Sequence, residues 1–245
     1  MNEQSITGLW VYLSTRPLLG LTMTLVAYGI AWRIHQRLRG HPLANPVLMA
    51  VALLVLVLTL TDTPYPRYFD GAQFVHFLLG PATVALAIPL YRQFKRMRAM
   101  ALPLGVTLLL GCTVAITSAW IVGAWLGADE RTLISLAPKS VTTPIAMAVA
   151  EALGGLPSLT AALVIATGIL GAMTAQGLFR LMRIQDRSAQ GFAIGIAAHG
   201  IGTARAFQLS PEAGAFAALA MAANGLLTAV LAPWLVPMLK HWIGH

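Results

Sequence analysis

Five long stretches without a charged residue constrain this sequence more than any other feature. No Asp, Glu, Lys or Arg occurs between Arg98 and Asp129. Four further stretches share this property: residues 41–61, 71–91, 152–179 and 213–239. Each is at least as long as the roughly 18–20 residues that cross the hydrocarbon core of a bilayer. A soluble helical protein would need polar stripes at helical period, and these stretches lack them. The sequence therefore predicts an all-α polytopic membrane protein.

The composition supports the same class. Of the 245 residues, 58% are hydrophobic and 10% are charged, whereas a soluble domain carries about 25% charged residues. We expect one transmembrane domain over residues 1–245, with about seven or eight hydrophobic segments. They are predicted near residues 17–33, 43–61, 70–91, 101–127, 156–180, 190–208 and 211–239, with 132–154 as a further apolar segment.

The net charge of +8 is distributed in a pattern typical of membrane proteins. Ten of the sixteen basic residues follow apolar spans in three clusters: Arg33, Arg37 and Arg39; Arg92, Lys95, Arg96 and Arg98; and Arg180, Arg183 and Arg187. Lys and Arg are concentrated in cytoplasmic loops. We therefore expect these clusters on the inner side of the cell inner (plasma) membrane, with the N-terminus outside. The same placement argues against a nucleic-acid partner and leaves membrane lipid as the surroundings.

Residues 132–154 leave two topologies open. If this segment crosses the membrane, the span at 156–180 returns the chain, and the cluster that starts at Arg180 falls outside. If the segment enters and returns on the same side, that cluster lies inside with the others. The charge bias favours the second topology.

The stretch LAPKSVTTPIAM (136–147) makes that segment unusual. Pro138 disfavours helix for the residue before it, so an arriving helix should end near Ala137. Thr143 followed by Pro144 has the pattern of a helix N-cap and first helical residue. We predict a short non-helical segment between them, which is tolerated at membrane depth only inside protein or beside a water-filled cavity.

The polar residues of this segment are suited to holding a small anion. A helix N-terminus offers unpaired N–H groups and a partial positive charge, and Lys139 adds a full charge. The hydroxyls of Ser140, Thr142 and Thr143 add hydrogen-bond donors. The alternative is a proline kink whose lysine extends to the membrane interface, since Lys139 follows Asp129 by only ten residues.

A second polar stretch, AAHGIGTARAF (197–207), interrupts a predicted span. Gly200 and Gly202 permit a break in the helix, and Thr203 is a candidate cap of the second half. Arg205 then falls in the first turn of that half, where a cation opposes the helix dipole. A bound carboxylate would relieve this, because Arg binds carboxylates in bidentate fashion.

An ionisable residue inside a span indicates a functional site by default. His199 is a candidate proton relay near neutral pH, with a hydrogen-bonded structural histidine as the alternative. For Arg205 the alternative is a span that ends early, so that the guanidinium faces lipid headgroups.

A weak sequence similarity between two segments of the chain is compatible with internal repeats. PATVALAI (81–88) and PKSVTTPI (138–145) share Pro, Val and Ile in register, which makes Pro81 a further predicted break. Paired segments broken by Gly or Pro are typical of transporters built from two halves. Metal-spaced His/Cys clusters, G-x-S-x-G and Walker loops are absent from the sequence, and we expect no enzyme activity, no cofactor and no metal.

These stretches resemble those of the LrgB/CidB family of bacterial membrane proteins. The likeness lies in APKSVTTPIAM, HGIGTARAF, GAFAALAMAANGLLTAVLAPWLVP (214–237), NPVL (45–48) and LLGPATVALAIPLY (78–91). It extends from about Thr15 to the C-terminus, and the PKSVTTP block is its most specific part. It places the two polar blocks of the family on residues 139–144 and on His199, Gly202, Thr203, Ala204 and Arg205.

The resemblance implies two functions. One branch of the family is described as holin- or antiholin-like modulators of murein hydrolase activity and autolysis, which act with a smaller LrgA/CidA-type membrane protein. The other branch includes the plastid glycolate/glycerate translocator, which resembles a fusion of the two partners, and bacterial pairs are linked to pyruvate uptake. This sequence contains no LrgA-like portion, so a two-component activity needs a separate protein.

The residues and the resemblance together favour a carrier of small monocarboxylates over a modulator of autolysis. In this interpretation two discontinuous helices face each other at mid-membrane, and the chain is compatible with a homo-oligomer such as a dimer. Charge comes from two residues, Lys139 and Arg205. Donors and a proton relay come from Ser140, Thr142, Thr143, Thr203 and His199, and the breaks from Pro81, Pro138, Pro144, Gly200 and Gly202.

Overall fold

The structure, a computed structural model, describes residues 17–38 and 44–243, and every regular element in those ranges is a helix. It divides into two compact units, Met1–Ala85 and Leu86–His245. The first unit contains α1 (Pro17–Arg37), α2 (Pro46–Leu60), α3 (Tyr65–Phe77) and α4 (Leu79–Ala85). The second contains α5 (Ala87–Ala99), α6 (Ala101–Trp125), α7 (Glu130–Leu136), α8 (Thr143–Ala152), α9 (Pro157–Leu181), α10 (Arg187–Leu209) and α11 (Pro211–Ile243). The predicted N-terminal orientation and Arg39 lie outside the described residues.

The predicted membrane class is confirmed by helix length and composition. Five helical stretches within the described ranges are long and apolar enough to span a bilayer: Leu18–Arg37, Tyr65–Ala99, Ala101–Trp125, Pro157–Leu181 and Pro211–Trp242. Two shorter apolar helices, Pro46–Leu60 and Thr143–Ala152, accompany them.

The first unit shows the break predicted near Pro81. The helix is interrupted at Leu78, between α3 and α4, because a proline ring clashes with the carbonyl group four residues before it, here that of Phe77. The two similar segments, residues 81–88 and 138–145, differ in local structure. Residues 81–85 are helical, whereas residues 138–142 are non-helical.

Residues 130–152 of the second unit form hairpin 1, which consists of α7, a non-helical tip at residues 137–142, and α8. α7 ends at Leu136, as Pro138 predicts. The chain then returns, because the backbone N–H of Leu156 donates to Ser135 Oγ (2.8 Å) and Thr160 Oγ1 donates to the Ser135 carbonyl (3.1 Å). The segment that was open to two topologies is therefore a hairpin that enters and returns on one face of the second unit, the arrangement that the second topology requires.

The predicted cap of α8 is wrong by one residue. Thr142, with extended backbone, is the N-cap, and its side chain makes no capping hydrogen bond. Thr143 is the first helical residue and Pro144 the second. Both positions suit proline, since neither N–H has a partner within the helix.

α10 is not one continuous helix but folds back on itself as hairpin 2. Its two halves are α10a (residues 187–197) and α10b (residues 200–209), and its tip is formed by Ala198 and His199, whose φ/ψ angles are −130°/16° and 39°/−134°. Gly202 lies against the backbone of Ile194. A Cβ atom added at Gly202 would lie 3.1 Å from the carbonyl oxygen of Ile194. In a straight helix these residues would be about 12 Å apart along the axis, so α10b runs antiparallel to α10a.

Two predictions for this break need correction. The break lies at Ala198 and His199 and not at Gly200 and Gly202, which are helical. Gly202 instead permits the close approach of the two halves. Thr203 does not cap the second half, because its hydroxyl donates to the His199 carbonyl four residues earlier, within the helix (2.8 Å).

The two hairpins open on opposite faces of the second unit. On one face Arg96 of α5 contacts Asp186 (3.3 Å) and Glu212, which precede α10a and begin α11. On the other face Lys240, near the end of α11, contacts Glu130 at the start of α7 (2.6 Å). The second and third basic clusters therefore share a face, as the charge pattern predicted.

Asp186 caps hairpin 2, and this predicts a specific acid sensitivity. Its carboxylate accepts from the Ser188 hydroxyl and from the backbone N–H of Ala189 (2.8 Å), and these bonds, the hydroxyl first, lower the pKa of the Asp186 carboxyl. Because the folded pKa lies below the unfolded value of about 3.9, the stabilisation is present above that value and is lost as pH falls through the folded pKa.

We expect Asp186→Ala to lower the free energy of unfolding by about 1 kcal/mol near neutral pH and to flatten its decrease in acid. Asp186→Asn is the matched control, because asparagine also caps helices. The measurement is the Tm of the detergent-solubilised protein between about pH 3 and pH 7. An Asp186→Ala variant with the wild-type acid profile would contradict the assignment.

Candidate functional site

The tip of hairpin 1 and the α10a arm of hairpin 2 line one groove near the middle of α9. This tip groove has a volume of about 600 Å³, within the range of small-molecule sites. Its walls come from the hairpin 1 tip (Lys139, Ser140), α10a (Ala193, Ile196, Ala197), α9 (Thr167, Leu170, Gly171, Thr174) and α6 (Thr107, Gly111, Val114, Ala115). Two hairpins that open on opposite faces thus both line this groove.

Lys139 is the charged residue of the tip groove. Its side chain is half-buried, and Nζ donates to the Ala115 carbonyl of α6 at 3.3 Å. Within the described residues, no carboxylate lies within 4 Å of this ammonium group. Ser140 is adjacent and 7% exposed. A half-buried ammonium paired only with a backbone carbonyl is electrostatically suited to an added anion.

Hairpin 1 is held in place by packing of the tip and the first turn of α8. Pro138 and Val141 are fully buried, and Val141 and Ala146 pack with Val164 of α9. Thr142 and Thr143 are half-buried but do not line the groove. The non-helical backbone is therefore enclosed by protein, as membrane depth requires.

His199 fixes the tip of hairpin 2 to α9. The ring is 4% exposed, and Nε2 lies 2.9 Å from the Val164 carbonyl, so this nitrogen is the donor. The ring also lies on Gly168, where an added Cβ would be 2.6 Å from it. This contact offsets the left-handed φ of 39° that His199 adopts.

Asn224 of α11 satisfies a carbonyl group that the break leaves without its helical partner. Its Nδ2 donates to the Ile196 carbonyl at 3.0 Å, and the residue is 1% exposed. Thr203 lies nearby, 3% exposed, with its hydroxyl 3.8 Å from the Met221 sulfur. These buried contacts attach the broken helix to α11.

The structure does not place Arg205 beside Lys139. The sequence predicted Arg205 in the first turn of the second half, but it lies in the second turn of α10b. Its guanidinium donates to Gln176 of α9 (2.9 Å) and to Gln208 (2.6 Å), and it does not line the tip groove. The break occurs earlier than the glycines suggest. α10b therefore begins at Gly200 and not after a cap at Thr203, and Arg205 lies one turn further along the helix than predicted.

Comparison with known proteins decides the family. The model of the LrgB-like family matches residues 24–238, which is most of the chain. This chain belongs to the LrgB-like family. It is 36% identical to the uncharacterized protein YwbG of Bacillus subtilis (strain 168) over 219 residues, which cover 89% of this chain and 97% of that protein.

Other relatives of this LrgB-like chain carry a functional name. The antiholin-like protein LrgB of Bacillus mycoides (strain KBAB4) is 28% identical over 223 residues, which cover 91% of this chain and 97% of that protein. The antiholin-like protein LrgB of Bacillus cereus (strain B4264) shows the same identity and coverage. No solved structure matches this LrgB-like chain.

The sequence analysis of this LrgB-like chain missed the α9 wall of the groove. Thr167, Gly171 and Thr174 are spaced by four and three residues, so they share one helix face. A face of hydroxyls and glycine inside an apolar span was the available signal. Gly168 and Gly171 also admit the hairpin 2 tip, because Cβ atoms there would meet His199 and Ala198 at 2.6 Å.

Proposed function

We propose that this LrgB-like protein is a carrier of small monocarboxylates, namely two- or three-carbon 2-hydroxy or 2-oxo acids such as glycolate, glycerate and pyruvate. The observation that carries the proposal is Lys139, a half-buried ammonium group at the tip of a broken hairpin, which lines the groove and contacts a backbone carbonyl. One cation in a largely apolar groove matches one carboxylate on a short carbon chain.

The geometry supports specific roles for the groove residues. The substrate carboxylate binds Lys139 by a charge-assisted hydrogen bond. Ser140 donates to the same group or to the 2-oxygen, and Thr167 and Thr174 add hydroxyls from the α9 wall. Gly171 and Ala197 leave room beside these donors without adding charge.

Alternating access follows from the opposite openings of the hairpins. Hairpin 1 opens on the Glu130 face and hairpin 2 on the Asp186 face, while the hairpin 1 tip and α10a both line the groove. Rigid-body movement of one hairpin would open the groove towards its own face and leave the other closed. The site then stays near the middle of α9 while access alternates.

Uptake into proteoliposomes tests the proposal. Purified protein is reconstituted, and the entry of labelled glycolate and pyruvate is measured over a concentration series, with a labelled neutral sugar of similar size as the control for leak. We expect saturable carboxylate uptake, competition between the two acids, and no entry of the sugar. Equal, unsaturable entry of all three solutes would contradict a carrier.

The second candidate is an antiholin-like role, which the names of the Bacillus mycoides and Bacillus cereus relatives favour. In that role the protein modulates murein hydrolase activity and autolysis together with a small LrgA/CidA-type membrane protein, or acts as a homo-oligomer such as a dimer. Co-reconstitution with such a partner distinguishes the two. Solute release that requires the partner and ignores solute size supports the second candidate.

Proton coupling through His199 is a further part of the carrier proposal. We expect an imposed pH gradient to accelerate uptake by the wild type but not by His199→Ala. His199→Gln is the matched variant, because its amide can still donate to the Val164 carbonyl, which accepts from His199 at 2.9 Å, yet it does not titrate. If His199→Gln transports and keeps the wild-type response to the gradient, His199 is structural.

A further inference from the structure

A second cavity lies at the opposite end of α9 from hairpin 1 and contains three arginines. This arginine cavity has a volume of about 640 Å³. Its polar lining consists of three guanidinium groups and three amide groups: Arg180, Arg183, Arg187, Gln176, Gln185 and Gln190. It lies on the face that carries the second and third basic clusters, which we predict to be cytoplasmic.

The guanidinium groups of the cavity are not neutralised by acids of the described chain. No Asp or Glu in the described residues lies within 4 Å of Arg180, Arg183 or Arg187. The acid closest in sequence is Asp186, and its carboxylate is engaged by Ser188, Ala189 and Arg96. Three like charges that share one cavity repel each other unless an anion lies between them.

Two glutamines of the lining hydrogen-bond nearby groups, and one of them, Gln190, is buried. Gln190 is 7% exposed, accepts from Arg187 at 2.9 Å, and donates to the Ile184 carbonyl at 2.7 Å. Gln176 accepts from Arg205 at 2.9 Å. These bonds hold Arg187 at the start of α10a and join α9 to α10b beside the cavity. The side chains of Arg180, Arg183 and Arg187 are exposed and therefore accessible to a ligand.

Arg183 occupies a position where the backbone favours glycine. It follows the end of α9 with φ 56°, and the backbone N–H of Ile184 donates to the Phe179 carbonyl at 2.9 Å. Helices that end in this way usually have glycine at the left-handed residue. Arg183 therefore has a backbone conformation that glycine would adopt at lower cost.

We propose that the arginine cavity binds a phosphate-bearing anion, either a soluble phosphorylated molecule or the headgroup of an anionic phospholipid. Arginine forks match phosphate oxygens in bidentate geometry. Several guanidiniums match a multiply charged group, whereas the single Lys139 of the tip groove matches a monocarboxylate. Helix-end and topology preferences account for basic residues at this face, but not for their convergence on one cavity. The proposal does not depend on transport.

Binding to the purified full chain tests the proposal and separates the two sources. Pyrophosphate and ATP are titrated calorimetrically in neutral detergent for the soluble source. For the lipid source, Tm is compared in phosphatidylcholine nanodiscs with and without phosphatidylglycerol. The cavity variant carries Arg180→Gln, Arg183→Gln and Arg187→Gln, and the matched control carries Arg92→Gln, Lys95→Gln and Arg98→Gln, with the same charge change on α5.

We expect wild type and control to bind at least one of the two probe types, and the cavity variant to bind it at least tenfold more weakly. Arg183→Gly removes one guanidinium and relieves the strained backbone, so its Tm should rise while its affinity falls, a combination that misfolding does not produce. Binding of pyrophosphate or ATP identifies a soluble ligand, and a response to phosphatidylglycerol alone identifies the lipid. Absence of both, or equal loss in cavity variant and control, overturns the proposal.

Discussion

Replacing Lys139 by glutamine is expected to reduce the kcat/KM of glycolate uptake by about ten- to a hundredfold. The reason is the loss of a charge-assisted hydrogen bond, which contributes about 1.5–3 kcal/mol, where each 1.4 kcal/mol corresponds to a factor of ten. Glutamine keeps much of the length of the chain and can still donate to the Ala115 carbonyl, which Lys139 contacts at 3.3 Å. The measurement is initial uptake in proteoliposomes at matched protein density.

The stability of the same variant separates a binding role from a structural one. A half-buried ammonium without a carboxylate partner among the described residues is unfavourable for the fold. Lys139→Gln should therefore keep or raise the Tm while it loses uptake. Lys139→Arg retains the charge and should recover part of the uptake. Lys95→Gln on α5, an exposed position, is the matched control and should transport like the wild type.

Two outcomes would contradict this prediction. If Lys139→Gln transports glycolate at the wild-type rate, the ammonium group does not bind substrate, and the alternative of a kink with a snorkelling lysine gains support. If the uptake is lost together with the folded state, shown by a lowered Tm, Lys139 supports the hairpin and not the substrate.

Hairpin 1 shows which parts of the site could be predicted from the sequence. The end of α7 and the non-helical tip follow from Pro138, because proline acts on the backbone of its own segment. The position of Lys139 beside a cavity was predictable because non-helical backbone and charged side chains are unfavourable in lipid. At membrane depth they occur inside protein or beside a water-filled cavity. Both inferences rest on local chemistry, and the structure agrees with them.

Hairpin 2 shows what could not be predicted. Ala198 and His199 have no intrinsic reason to leave the helical conformation, and Gly200 is the better helix breaker. The break occurs at Ala198 and His199 because of tertiary contacts, in which His199 bonds the Val164 carbonyl and lies on Gly168. α10b therefore begins before the predicted Thr203 cap and folds back along α10a, and Arg205 lies outside the predicted site.

The largest effect on stability is expected for Gly191→Ala, at the contact between α10a and α11. An added Cβ at Gly191 would overlap the carbonyl group of Ala213, which is backbone and cannot rotate away. Overpacking of this kind costs about 1–3 kcal/mol, and the shift in Tm is roughly 2–4 °C for each kcal/mol in a chain of this size. We therefore expect Gly191→Ala to lower the Tm in detergent by several degrees.

Gly177→Ala is the matched control, because it makes the same chemical change inside α9 where nothing lies within 4 Å of the added Cβ. Alanine lowers the entropy of the unfolded chain and favours helix by about 0.5–1 kcal/mol over glycine, so this variant should be as stable as the wild type or more so. If the Tm falls below the wild-type value in Gly191→Ala and rises above it in Gly177→Ala, the loss comes from the close approach at Gly191 and not from helix propensity. If Gly191→Ala also gains stability, α10a does not pack against α11 as described, and the groove that depends on this packing loses its support.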